Sequence, residues 1–371
     1  MNALKFAAKQ LPGVRRLVAQ RDQLHHELSV AQHERNALIR VLDRLQPMAE
    51  AAHAAAPAPG TESAEAAARQ LEHEATLARL HGAEAELVRL RASCGFVPPG
   101  HFYSPIPSLD EVRRDEARIF DQPLPRQIPG IDLREEAQLA LLHELARHYA
   151  DQPFSEQPMP GLRYHLDNQS YAYSDGLLLH CMLRQLQPRR LVEIGSGFSS
   201  CVTLDTNERF LGGVLELTFI EPYPELLQSL IRDEDRARTT ILPQRLQDVD
   251  LAVFRQLGAG DVLFVDSTHV SRIDSDVNRL FFEILPALPA GVVIHFHDVF
   301  YPFEYPKEWI YFGRAWNELY LLRGFLQYNR AFEILLMNTF MEHFHTDFFR
   351  AHMPLCLKNP GGSIWLRKTE A

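Results

Sequence analysis

The chain has 371 residues, with 38 Lys and Arg against 48 Asp and Glu, for a formal net charge of -10. That length buries a substantial core, and the acid excess gives no electrostatic footprint for nonspecific binding to nucleic acid or anionic membrane, local spots such as Arg189 and Arg190 aside. Cys94, Cys181, Cys201 and Cys356 form no CxxC pair, which argues against a zinc site or a disulfide framework; with no signal peptide and no apolar run of membrane-spanning length, a cytoplasmic protein is expected.

Leu17, Leu24, Ala31, Leu38 and Leu45 recur every seventh residue, with Leu28 and Leu42 between them, which predicts an α-helical coiled coil. An Ala/Pro linker follows near 47–63, then a second helical run, AEAAARQLEHEATLARLHGAEAELVRLRA, with a weaker seam at Leu77, Leu80, Leu87 and Leu90. Heptads alone do not fix the partner, so an intramolecular hairpin and a homo-oligomer or partner-protein contact through residues 1–92 both fit. Residues 93–160 read as a helical lead-in, including an amphipathic helix in IDLREEAQLALLHELARHYAD with Asp132 as its cap and Glu135 three residues on.

From 161 to 371 the chain alternates. LVEIG, VLELTFIE, TTILP, DVLFVD, GVVIHFHD, FEILLMN and SIWLR are strand candidates, and helical patterns fill most intervals. Short buried strands separated by helices predict an α/β fold with a seven-stranded, mostly parallel sheet and helices on both faces. The seventh strand follows the sixth without a clear helix, which suggests an antiparallel strand at that end.

In such sheets ligands lie beyond the carboxyl ends of the strands. Glu193, Gly195 and Gly197 end the first strand, Glu221 the second, Asp266 the fourth, and His297 and Asp298 the fifth. A glycine turn alone is weak, but Glu221 stands at the separation expected of an acid that binds ribose hydroxyls. Ser200 occupies the place of a dinucleotide fingerprint's third glycine, so a nucleoside without phosphates fits better.

VEIGSGFSS, FIEPYP, LQDVD, LFVDSTH, VIHFHDVF and SIWLR, in this order, resemble the class I S-adenosylmethionine-dependent methyltransferases, in particular the methyltransferase domain 24 group, over roughly residues 160–370. The resemblance implies a Rossmann-like domain. It places the donor against Glu193, Gly195, Gly197, Phe198, Ser199, Glu221, Asp266 and, by the adenine, Gln247 or Asp248; Asp248 answers equally to a helix cap. VDSTH and HDV are also similar to metal-dependent sugar O-methyltransferases, which implies His269 as general base and Mg2+ or Mn2+ at Asp266, His297 and Asp298. His297 departs from that pattern, where an acid stands, and imidazole suits a softer metal than magnesium. A metal-free site, with His297 or His269 taking the proton, stays open.

FYPFEYPKEWIYFGRAWNELYLLRGFLQY, with Glu304, Lys307, Arg314 and Asn317, reads as an acceptor wall or as a helical lid. Asn168, Tyr171, Tyr173 and Asp175 are expected just before the domain's first helix, where such folds close over the donor. The expected function is methyl transfer to a sugar or glycan hydroxyl. An NAD-dependent Rossmann-like sugar-modifying enzyme and a non-catalytic coiled-coil scaffold with a nucleoside-binding domain are the alternatives.

Overall fold

The computed structural model describes residues 64–93 and 96–370, with side chains from 70 to 86 and from 96 onward. The heptads at Leu17 to Leu45 lie outside the described residues. The second helical run forms α1 (Ala64–Ser93), with Leu77 and Leu80 half-buried along it. The contacts divide the chain into Met1–Pro98 and Pro99–Ala371. No helix among the described residues is long and apolar enough to cross a membrane.

In Pro99–Ala371 a seven-stranded sheet runs in the order β3-β2-β1-β4-β5-β7-β6. The strands are β1 (Arg190–Ile194), β2 (Glu216–Ile220), β3 (Thr239–Leu242), β4 (Val262–Val265), β5 (Val293–His297), β6 (Phe332–Met337) and β7 (Ser363–Lys368). All seven fall where the apolar runs predict. β4 and β5 are buried at every residue, so their alternating side chains are covered on both faces. β1 pairs in parallel with β2 and β4, through Leu191 against Leu217 and Val262, and strand order reverses between β1 and β4.

β7 is antiparallel, as expected, and is inserted between β5 and β6. The connection preceding it is helical after all, with α6 (Asn338–Phe344) and a helix at Thr346–His352. These are two short, aromatic and polar turns, whose pattern in NTFMEHFHTDFFRAH has no clean apolar period.

α2 (Glu135–Tyr149) packs on α3 (Tyr173–Leu186), and α3 on α4 (Phe198–Phe210). The predicted cap of α2 is shifted. Asp132 accepts from the Arg134 N–H at 3.0 Å, and Arg134 stands at φ 52, so the helix starts only at Glu135. The Arg134 guanidinium reaches Glu333 at 2.5 Å and so ties this start of the helix to β6. α3 is buried from Ser174 to Leu183. Cys181, Cys201 and Cys356 are buried free thiols. Finally, α5 (Glu318–Leu326) forms the last part of the aromatic segment and brings its first residue to the end of β4.

Candidate active site

The loop after β1 is built by close packing. Gly195 has φ 76, and a Cβ there would lie 1.9 Å from the Asp266 carbonyl oxygen, so only glycine lets this turn rest on the end of β4. Gly197 is different. It is extended, and a Cβ would meet only Leu226 Cδ2 at an ordinary 3.6 Å, so no internal contact requires glycine there. Glu193 is fully buried and accepts from the Ser199 and Ser200 hydroxyls at 2.5 and 2.9 Å, which orders the start of α4. Its Oε2 accepts nothing from the described residues, and burial pushes the carboxyl up to about 8 against the two serine bonds. Glu221 accepts from the backbone N–H groups of Ser196 and Tyr223, at 3.2 and 2.8 Å, and so ties the ends of β1 and β2 together. Phe198 is half-buried, edge-on to His165. Gln247 donates to the Asp274 carbonyl at 2.6 Å, and Asp248 is exposed in a two-bond pair with Arg245.

At the ends of β4 and β5 the predicted acids and histidines converge. His269 Nε2 lies 3.3 Å from Asp266 Oδ1 and 3.5 Å from Asp298 Oδ2, while its Nδ1 lies 2.8 Å from Glu318 Oε2. His297 Nδ1 is 3.3 Å from Asp266, and its Nε2 is 3.6 Å from both Asp298 and Asp175. Asp175 is fixed by Asn338 Nδ2 at 3.0 Å and by the Gly362 N–H at 3.2 Å. Both His269 and Asp298 sit at positive φ, 60 and 59, a conformation sidechain-bearing residues keep only where the surroundings impose it.

Electrostatics follow from crowding acids around imidazoles. Burial alone would lower the His269 imidazole, yet its bonds to Asp266 and Glu318 raise it to about 10. Burial opposes protonation of His297 too, and the Asp298 and Asp266 charges overcome it, raising that ring well above the ordinary range. Burial would lift Asp266, but the neighbouring His297 and His269 hold it well below the usual carboxylate range. Asp298 is raised, chiefly by burial. Carboxylates crowded around two imidazoles thus favour their protonated forms, and the same donor set suits a cation.

The family resemblance implies a metal, and the donors fit one. Ligand atoms of Asp266, His269 and Asp298 lie within 4.8 Å of one another, the only such group of three among the described residues. Adjacent donors about 2.1 Å from an ion stand about 3 Å apart, close to the 3.3 and 3.5 Å separations here. His297 adjoins both acids but is not in that group.

Beside the cluster lies a cavity of 260 Å³ lined by Asn168, Ser170, Asp175, His297, Asp298 and Trp309, among others. His295 does not belong to it. Two residues down β5, that ring stacks on Phe264 at 4.2 Å inside the core, where burial holds it neutral. Of the polar residues in the aromatic segment, Lys307 pairs with Glu116 at 2.5 Å and Asn317 Oδ1 accepts from the Ser271 N–H at 2.6 Å. Glu304 accepts from the Tyr305 N–H at 3.1 Å, and Arg314 lies over Trp309 and Trp316 at 4.0 and 4.9 Å. Lys307 and Asn317 thus tie the segment to neighbouring elements, Glu304 and Arg314 make contacts within it, and its Phe300, Pro306 and Trp309 line the cavity.

Residues 192–299 match a family described as a methyltransferase domain. An uncharacterized protein of Archaeoglobus fulgidus is 40% identical over 164 residues, spanning 43% of this chain and 73% of that protein. The chain belongs to the methyltransferase-domain family. Its sheet is the class I architecture, and S-adenosylmethionine is the methyl donor of that class. Among solved structures, the chain is similar to the S-adenosylhomocysteine-bound methyltransferase PaMTH1 of Podospora anserina (14% identity, 74% of this chain, all of that one, TM-score 0.36). It is also similar to the O-methyltransferase TomG of Streptomyces achromogenes, from tomaymycin synthesis and in complex with S-adenosylmethionine (16% identity, 70% and 96%, TM-score 0.35). Both likenesses are remote.

Asp175 is read from the sequence only as part of the stretch that closes over the donor, and the fold instead takes it to His297. Glu318 escapes the sequence motifs altogether, though it had a readable signal. It shares a helical stripe with Leu322 and Leu326, both buried, and an acid on an apolar stripe needs a partner.

Proposed function

We propose that this methyltransferase is an O-methyltransferase that uses S-adenosylmethionine to modify a sugar or glycan hydroxyl. The observation that carries the reading is one of continuity. The loop after β1 rests on Asp266, Asp266 meets His269 and His297, and His297 and Asp298 open onto the cavity. A donor on that loop and an acceptor in that cavity would flank one polar centre.

Gly197, Phe198, Ser199 and the rest of the loop approach the donor's methionyl and ribose parts, Glu193 its amine, Glu221 its ribose hydroxyls, and Gln247 or Asp248 its adenine. The indole face of Trp309 suits the C–H face of a sugar ring, while Asn168, Ser170 and Asp175 offer hydrogen bonds to hydroxyls. In the reaction the acceptor oxygen attacks the methyl carbon in line, the carbon–sulfur bond breaks, S-adenosylhomocysteine leaves, and the hydroxyl proton passes to an imidazole. Asp266 and Asp298 with one histidine would hold a divalent ion, and the other histidine takes the proton. Bound there, the ion would supply positive charge that offsets the carboxylates and favours a neutral imidazole.

Calorimetry with S-adenosylhomocysteine and NAD, followed by transfer of a radiolabelled methyl group to a panel of glycosides and sugar nucleotides, tests this. Tight S-adenosylhomocysteine binding, no NAD binding and label in an ether linkage are expected. NAD binding without S-adenosylhomocysteine binding overturns it.

A further inference from the structure

Glu318 reaches the centre from outside the strand-end motifs, as the first residue of α5, and is 1% exposed. It holds the VDSTH turn at several points. Its Oε2 faces His269 Nδ1 at 2.8 Å, its Oε1 accepts from the Ser267 hydroxyl at 2.8 Å, and its own N–H donates to the His269 carbonyl at 3.1 Å. The Asn317 N–H donates to the same carbonyl at 3.0 Å, and the Trp316 ring lies 4.4 Å from the imidazole. His269 is thus clamped at a positive φ with Nδ1 occupied, and its remaining nitrogen, Nε2, is aimed at Asp266 and Asp298.

A general base must reach the acceptor hydroxyl. His297 lines the cavity, and His269 does not. A histidine whose one nitrogen is fixed by a buried carboxylate while the other converges with two acids has the arrangement that orients imidazole ligands to metal ions. We propose that Glu318 is a positioning residue that makes His269 the third donor of a divalent transition-metal site with Asp266 and Asp298, leaving His297 to take the proton. The inference rests on the methyltransferase reading above and reverses the role expected for His269. Two carboxylates and an imidazole favour Mn2+, Co2+ or Zn2+ over Mg2+ or Ca2+, which take oxygen donors.

The test uses the full chain, with Mn2+ as probe. Electron spin-echo spectra of the Mn2+-loaded protein should show coupling to an imidazole nitrogen, retained in His297→Gln and lost in His269→Gln. Mn2+ affinity should fall roughly 10- to 100-fold in Glu318→Gln, as for other partners of metal-bound histidines, with S-adenosylhomocysteine affinity unchanged. A nitrogen coupling absent from the native protein, or lost in His297→Gln and kept in His269→Gln, overturns the proposal. So does unaltered Mn2+ affinity in Glu318→Gln. Because the native spectrum and the His297→Gln spectrum decide first, misfolding of His269→Gln leaves the test intact. Failure of the methyltransferase reading would instead appear as loss of S-adenosylhomocysteine binding by native protein, a separate measurement.

Discussion

Gly195 lies so close to Asp266 that a β-carbon on the glycine would stand 1.9 Å from the aspartate's carbonyl oxygen. The glycine turn is therefore first a packing device joining β1 to β4. Gly195→Ala combines that clash with a left-handed φ, and should cost about 2–4 kcal/mol in urea unfolding. Gly197→Ala meets nothing closer than 3.6 Å and should leave unfolding within about 0.5 kcal/mol, while weakening S-adenosylhomocysteine in calorimetry if that face receives the donor. Equal stability loss in both variants would refute the distinction.

Asp266→Asn and His269→Ala should each abolish methyl transfer while leaving S-adenosylhomocysteine affinity within a few-fold, because both act at the reacting centre. Turnover that survives both changes would remove these residues from the chemistry. Chelation by EDTA should likewise stop turnover, with recovery on Mn2+ addition; full activity in chelator would exclude a required ion.

Burial gives two groups opposite leverage on stability. Glu193 is pushed up to about 8, so the folded chain holds a proton there that the unfolded chain releases above about 4.5. That stability is complete below the unfolded value and is lost as pH rises to about 8, approaching 1.4 kcal/mol per pH unit. His180 is lowered to about 3, first by burial and then by the Arg184 charge, so its neutral form costs stability as pH falls from about 6.5. Denaturant unfolding across pH 4–9 should show Glu193→Gln flattening the alkaline loss and His180→Gln flattening the acid loss. Parallel curves for variant and native protein would disprove either assignment.

Arg163, 4% exposed in its side chain, pairs with Asp205 at 2.7 Å, Asp235 at 2.6 Å and Glu208 at 2.8 Å. It joins α4 to the helix at Asp233–Arg238. Arg163→Met should cost about 3–5 kcal/mol, since it strands Asp205 and Asp235 with buried charge, and Arg163→Met/Asp205→Asn should recover part of that. A loss below about 1 kcal/mol would mean that the hub contributes little.

The sequence by itself determined the strands and the edge at which chemistry gathers. Apolar runs of four to eight residues have one stable use between helices, and acids that end several such runs must meet at the carboxyl edge. It also placed Asp266, His269, His297 and Asp298 within reach of one another, because each ends or follows β4 or β5, two adjacent strands. Period-two spacing alone does not distinguish His295 from His297. Both project from one face of β5, and depth in the core, which period-two spacing does not encode, makes the first a packing residue. Only the tertiary structure decided that Gly195 is required by Asp266, that the polar groups of the aromatic segment are engaged by its own rings and by Glu116 and Ser271, and that Asp175 and Glu318 join the centre. Those two lie 91 residues before Asp266 and 52 after it in the chain. Their contacts are long-range pairings set by how α3 and α5 pack on the sheet, and local pattern carries no information about which distant helix will bring a carboxylate to a given histidine.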